Sequence, residues 1–98
     1  MPTQTYDFRD ALDAIRIVET GGEPNEGIGS RGDGGNAERV VRAYMSRYAS
    51  GALRRLELGQ GSLKDVEMIA RIHNGGPRGH RKQATLGYWG KVRRALAS

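Results

Sequence analysis

Glycine decides where this chain can be regular. Most of its fifteen glycines gather at residues 21–35, 59–61 and 75–79. Glycine loses more backbone freedom on ordering than any other residue, so such clusters act as boundaries between elements. The segments between them repeat apolar residues at helical offsets. Phe8, Ala11, Leu12, Ile15 and Val18, with Glu19 closing the stripe, predict an amphipathic helix over 7–20 that Gly21 and Gly22 stop. Asn36 as N-cap with Glu38 in the first turn predicts a second helix to about residue 49, its core stripe made by Ala37, Val40, Val41, Tyr44 and Tyr48. A short helix is expected over 52–58. Ser62 and Asp65 form a capping-box pattern opening a helix over 63–73, in which Val66, Ile69, Ala70 and His73 share a stripe before Asn74-Gly75-Gly76-Pro77 ends it. Residues 74–84 read as loop, and Thr85 can cap a last helix carrying Tyr88, Trp89, Val92 and Leu96. Residues 21–35 hold seven glycines and Ile28 as their one apolar side chain, which suits a loop or small hairpin. The expected fold is mainly α, with about four helices and at most a small β-hairpin between residues 23 and 33.

Ninety-eight residues suffice for one domain spanning 1–98, burying roughly two-thirds of the unfolded chain's surface. With no cysteine, neither disulfides nor a thiolate metal site can hold the fold together, so packing must. Residues 1–7 are polar and lack the basic start and apolar run of a signal peptide, and no stretch has membrane-spanning length. No membrane insertion is expected. Location is open between the cytoplasm and release by lysis or a non-standard route. Sixteen Lys and Arg against eleven Asp and Glu leave a net charge of +5, which favours polyanionic partners. Most acids lie before residue 39, whereas Arg71, Arg78, Arg81, Lys82, Lys91, Arg93 and Arg94 follow one another with no acid between them. This basic stretch reads either as a solvated face or as an anion-facing surface.

Glycosidic cleavage requires one carboxyl group that is protonated when it meets the leaving oxygen, and usually a second, ionised one for the developing cation. Glu19 suits the first role, because a helix C-terminus and apolar neighbours both oppose its ionisation. It also reads as a boundary glutamate paired with a basic residue. Glu23, Glu26 and Asp33 are the candidates for the second carboxylate, all on the glycine-rich segment that leaves Glu19. Asp33, within Gly32-Asp33-Gly34-Gly35, reads either as that group or as a turn residue. His73 repeats the placement of Glu19 at a helix end, but His73 and His80 supply no metal-ligand spacing, and no metal or cofactor is expected. The Gly75–Gly79 loop with its basic residues lacks the glycine order of a phosphate-binding loop. No Gly-x-Ser-x-Gly elbow is present.

The string Ala70-Arg71-Ile72-His73-Asn74-Gly75-Gly76-Pro77, followed by Gly79, Lys82, Ala84-Thr85, Tyr88-Trp89 and Lys91-Val92, resembles the C-terminal signature of invertebrate-type, destabilase-like lysozymes. The match covers about 25 residues with little freedom in spacing. Ala11 to Gly22, ending in Val18-Glu19-Thr20-Gly21-Gly22, is similar to the family's first helix and its catalytic glutamate. The resemblance implies a lysozyme-like fold, Glu19 and Asp33 as the catalytic pair, and peptidoglycan in the cleft between them. It further implies that His73, Asn74, Gly75, Gly76 and Tyr44 border the bound glycan. Some relatives are credited with isopeptidase activity as well. One departure stands out. After the aspartate the family has a Gly-Pro-Tyr-Gln-Ile-like segment and a helix that floor the cleft, whereas here Gly34-Gly35 runs almost directly into Asn36-Ala37-Glu38. The chain therefore resembles a cysteine-free, bacterial-like version shortened by an internal deletion after Asp33.

Three functions follow as expectations. The first is a peptidoglycan glycoside hydrolase with Glu19 as general acid and Asp33 as second carboxylate. The second is a catalytically impaired wall- or saccharide-binding module on the same scaffold. The third, nucleic-acid binding by the basic last helix with Trp89 and Tyr88 stacking on bases, lacks any recognised motif around those aromatics.

Overall fold

A computed structural model describes residues 4–21 and 34–97. Within them lie α1 (Phe8–Thr20), α2 (Gly34–Tyr48), α3 (Ser50–Glu57), α4 (Leu63–Gly75), two short 3-10 turns (Gly79–Arg81 and Gln83–Thr85) and α5 (Leu86–Ala97). The mainly α expectation holds, and the short helix expected over 52–58 is α3. Among the described residues there is no strand, only an isolated antiparallel bridge between Tyr6 and Gly61. The hairpin expected between 23 and 33 lies outside the described residues.

Two capping boxes start helices as the local chemistry requires. Asp7 accepts from the Asp10 N–H at 2.8 Å while the Asp10 carboxylate accepts from the Asp7 N–H at 2.9 Å, opening α1. Ser62 and Asp65 exchange the same pair of bonds at 3.2 and 2.9 Å, opening α4 as expected. Each box satisfies two donors that the first helical turn would otherwise leave unpaired. Asp65 carries a further load: the Arg55 guanidinium grips it with two bonds of 2.9 and 2.7 Å and ties α3 to the start of α4.

Two expected caps are not caps. Asn36 lies inside α2, which already begins at Gly34, so its backbone is helical where an N-cap must be extended. Glu38 is thereby moved beyond the first turn, and it bridges Arg9 of α1 and Arg42 of its own helix. Thr85 sits in a 3-10 turn, and its hydroxyl reaches back to the Gly79 and Lys82 carbonyls, at 2.7 and 2.8 Å, rather than forward to α5.

The core is shared by all five helices. Ile15, Met45, Leu56, Val66, Ile69, Ile72 and Val92 are fully buried. Helix α4 supplies three of these and touches each of the other four helices, so it is the central post of the fold. In α2 the buried line is Val41 and Met45, continued by Ala49, while Val40, Tyr44 and Tyr48, expected in the core, form the adjacent line facing solvent. Both lines run at i, i+4 spacing, one residue apart, and α4 and α3 cover only the first.

Candidate active site

The site is built from two helix ends. Helix α1 stops because Gly21 takes a left-handed conformation, φ +68°, and its N–H caps the Ile17 carbonyl. Helix α4 runs two residues beyond its expected end at 73 and stops at Gly76, φ +88°, whose N–H bonds the Ile72 carbonyl at 2.9 Å. A β-carbon is disfavoured at both φ values, so glycine is the natural residue at each stop. The last turns of the two helices carry Glu19 and His73. They meet there, with His73 Nε2 3.4 Å from Glu19 Oε1.

That distance is at the long edge of a hydrogen bond, and the two side chains are 21% exposed for His73 and 40% for Glu19. Glu19 was expected to point into the buried face. It lies instead at the margin, because its position ends the stripe where α1 runs out of neighbours. With a proton on Nε2 the imidazole donates to the carboxylate, and the ring's charge changes near neutral pH. Every other carboxylate among the described residues is tied to an arginine or to a capping N–H: Asp7 and Asp10 to the α1 cap, Asp13, Glu38, Glu57, Asp65 and Glu67 to arginines. Glu19 alone among them faces a histidine.

Tyr88 of α5 closes the site from inside. Its hydroxyl is buried and makes no well-formed hydrogen bond. Burial, then the charge of the adjacent Glu19 carboxylate and its capacity to accept a hydrogen bond, push the phenol well above its ordinary pKa. The group therefore stays protonated and presents a donor toward Glu19. Sequence reasoning placed Tyr88 only on a core stripe. The signal for its second role was its position directly before Trp89, which is the buried residue of the pair and turns Tyr88 toward the rim of the core.

On the other side of His73 lies a cleft of about 230 Å³, lined by Val40, Val41, Tyr44, Met45 and His73 itself. The structure thus brings together Glu19, His73 and Tyr44 of the expected residues. Asn74 is exposed next to them. Gly75 and Gly76 form the turn below, where a β-carbon on Gly75 would come within 2.5 Å of the Thr85 methyl. Asp33 lies outside the described residues.

The basic segment behind this turn is partly structural. Arg71 donates to Thr85 Oγ1, Glu67 and the Lys82 carbonyl at 2.8, 2.7 and 2.9 Å, and Lys82 Nζ donates to the Gly75 carbonyl at 2.8 Å. Trp89 is buried and so is withdrawn from base stacking, which removes the ground on which nucleic-acid binding was entertained. Among the described residues no three His, Cys, Asp or Glu side chains come together as a metal site, and no helix is long and apolar enough to cross a membrane.

Comparison with known proteins identifies relatives for this arrangement. A lysozyme of Magallana gigas is 48% identical over 56 residues, which is 57% of this chain and 35% of that protein. Lysozyme 1 of Crassostrea virginica is 47% identical over 56 residues, 57% of this chain and 26% of the relative. Invertebrate-type lysozyme 6 of Caenorhabditis elegans is 44% identical over 57 residues, 58% of this chain and 37% of the relative. The chain is a homologue of the invertebrate-type lysozymes. By that homology its mainly helical fold is lysozyme-like, and its freedom from cysteine sets it apart as a version held by packing alone. The matched stretch is only about a quarter to somewhat over a third of these lysozymes' own length. No family model and no solved structure matches the chain.

Proposed function

We propose that this protein is a muramidase: a glycoside hydrolase that cleaves the bond between N-acetylmuramic acid and N-acetylglucosamine in peptidoglycan. The observation that carries the reading is the Glu19–His73 contact at two converging helix ends, beside a cleft and on a chain homologous to invertebrate-type lysozymes. Glu19 protonates the leaving glycosidic oxygen as the bond to the anomeric carbon breaks. Asp33 is the second carboxylate and faces the cationic centre that develops there. His73 and Tyr88 hold the Glu19 carboxyl from opposite sides, which limits its rotation and keeps the reacting oxygen aimed at the glycan. Asn74, Gly75, Gly76 and Tyr44 border the bound sugars. The chain acts as one domain over residues 1–98.

The two outcomes at the anomeric carbon report the carboxylate separation. Retention requires the pair about 5 Å apart, and inversion about 6.5 to 9.5 Å. Clearing of a peptidoglycan suspension tests the whole reading. The parent is expected to clear it, while Glu19→Gln, which keeps the shape but removes the proton donor, is expected to lose at least 100-fold in rate. A fully active Glu19→Gln variant would remove Glu19 from the chemistry.

A second reading is favoured by one observation. Helix α2 begins at Gly34, immediately after Asp33, so no floor segment intervenes between that aspartate and the next helix. A wall-binding module that has lost turnover fits this geometry too. In that case folded parent and Glu19→Gln bind peptidoglycan equally and neither clears it.

A further inference from the structure

Helix α2 presents two parallel lines of apolar residues, and only one is covered. Val41 and Met45 are buried, while Val40, Tyr44 and Tyr48 are 62%, 36% and 38% exposed. The two tyrosine rings lie 4.9 Å apart at a 55° tilt, and Arg47 closes the far side of Tyr48 at 5.6 Å from its ring. The ridge is therefore braced at its outer end. At its inner end Tyr44 opens onto the 230 Å³ cleft, whose opposite wall is His73. The His73 ring thus separates this cleft from Glu19, which it touches at 3.4 Å.

We infer that Tyr44, braced by Tyr48, is a platform for one N-acetylated hexosamine ring in the sugar position next to the Glu19 cleavage point. The inference rests on the glycan reading above and adds a residue-level subsite to it. A hexosamine ring has an apolar C–H face that packs on an aromatic face, and a rim of hydroxyls that an exposed phenol can bond. The cleft is smaller than the roughly 300–1,000 Å³ that takes a whole drug-sized ligand, so it suits one ring unit of a longer polymer. Its wall of Val40, Val41 and Met45 offers an apolar seat for an acetamido methyl group. A second copy of the chain is a poor occupant. Arg39 and Arg47 are exposed beside the stripe, and a twofold contact across it would set like charges against one another.

The test uses the full chain carrying Glu19→Gln and a series of N-acetylglucosamine oligomers of increasing length, followed by calorimetry and by amide chemical-shift mapping. Affinity is expected to rise with oligomer length, with shifts at Tyr44, Tyr48 and His73. Adding Tyr44→Ala is expected to weaken binding at least tenfold, adding Tyr44→Phe to retain most of it, and Tyr48→Ala to give an intermediate loss. Circular dichroism and thermal melting confirm that each variant is folded, which the exposure of both side chains favours. Unchanged affinity in Tyr44→Ala, or no oligomer binding by folded protein, overturns the subsite. So does sedimentation that shows a concentration-dependent dimer lost in Tyr44→Ala. The hydrolase reading fails separately: Tyr44-dependent binding together with a parent that clears no peptidoglycan would leave the subsite standing and remove the turnover.

Discussion

Asp65 shows how much one side chain holds in a domain without disulfides. It is 5% exposed, completes the α4 capping box and receives both bonds from Arg55. The Arg55 hydrogen bond, supported by those from Ser62, outweighs desolvation and lowers its pKa below the ordinary 3.8. A lowered folded-state pKa means that the unfolded chain takes up a proton first as pH falls. Asp65 therefore contributes stability that is complete above 3.8 and is lost as pH drops through the still lower folded value. Replacing it by alanine removes a cap and leaves Ser62 without its return bond, a loss of about 2 kcal/mol at neutral pH. Urea unfolding of parent and Asp65→Ala is expected to show that gap at neutral pH and to show it shrinking in acid below 3.8. A gap that widens in acid would contradict the assignment.

At the scale of elements, the segment joining α4 to α5 is where glycine placement is least negotiable. A β-carbon on Gly79 would lie 1.9 Å from the Arg71 carbonyl oxygen, so the turn can sit on the helix only without one. Gly79→Ala must push the turn off α4 and disturb the Arg71, Thr85 and Lys82 bonds, and is expected to cost about 3 kcal/mol. Gly87 supplies the control. It lies in the first turn of α5 with nothing within 4 Å of a β-carbon, and Gly87→Ala is expected to stabilise by about 0.5 kcal/mol through helix propensity. Melting temperatures that move in the same direction for both would refute this contrast. Much of this was legible beforehand. The Ser62–Asp65 box, the stops after Glu19 and His73, and the stripes of α1 and α4 follow from short-range chemistry that one helix carries by itself. The phase of α2 was not legible, because Val40-Tyr44-Tyr48 and Val41-Met45 are both apolar lines, and only the neighbours α3 and α4 choose which is buried. The role of Thr85 was hidden for a related reason: its partners Gly79 and Arg71 are brought to it by a turn, not by sequence adjacency.

Across the whole molecule, charge is segregated by use. The described acids of α1 and α2 are largely neutralised by arginines, while Arg78, Arg81, Lys91, Arg93 and Arg94 remain exposed on the C-terminal side. The net charge of +5 was readable from composition, but which cations are free was not, since Arg71 and Lys82 are consumed by the turn. Likewise the approach of Glu19 to His73, 54 positions apart, depends on how α1 and α4 pack, and only the family resemblance pointed to both in advance. If peptidoglycan is the partner, the free cations act at long range on the anionic wall, and the Glu19 cleft acts at contact. These two contributions separate by salt. The Debye length falls from about 10 Å at 0.1 M to about 3 Å at 1 M salt, so retention on intact wall should drop steeply over that range. Binding of short neutral oligosaccharides should hardly change. Replacing Arg93 and Arg94 with glutamine should flatten the salt dependence of wall retention and leave oligosaccharide affinity as it was. Wall retention that ignores both salt and these substitutions would mean that the basic side is only a solvated face, and that the cleft alone holds the protein to its substrate.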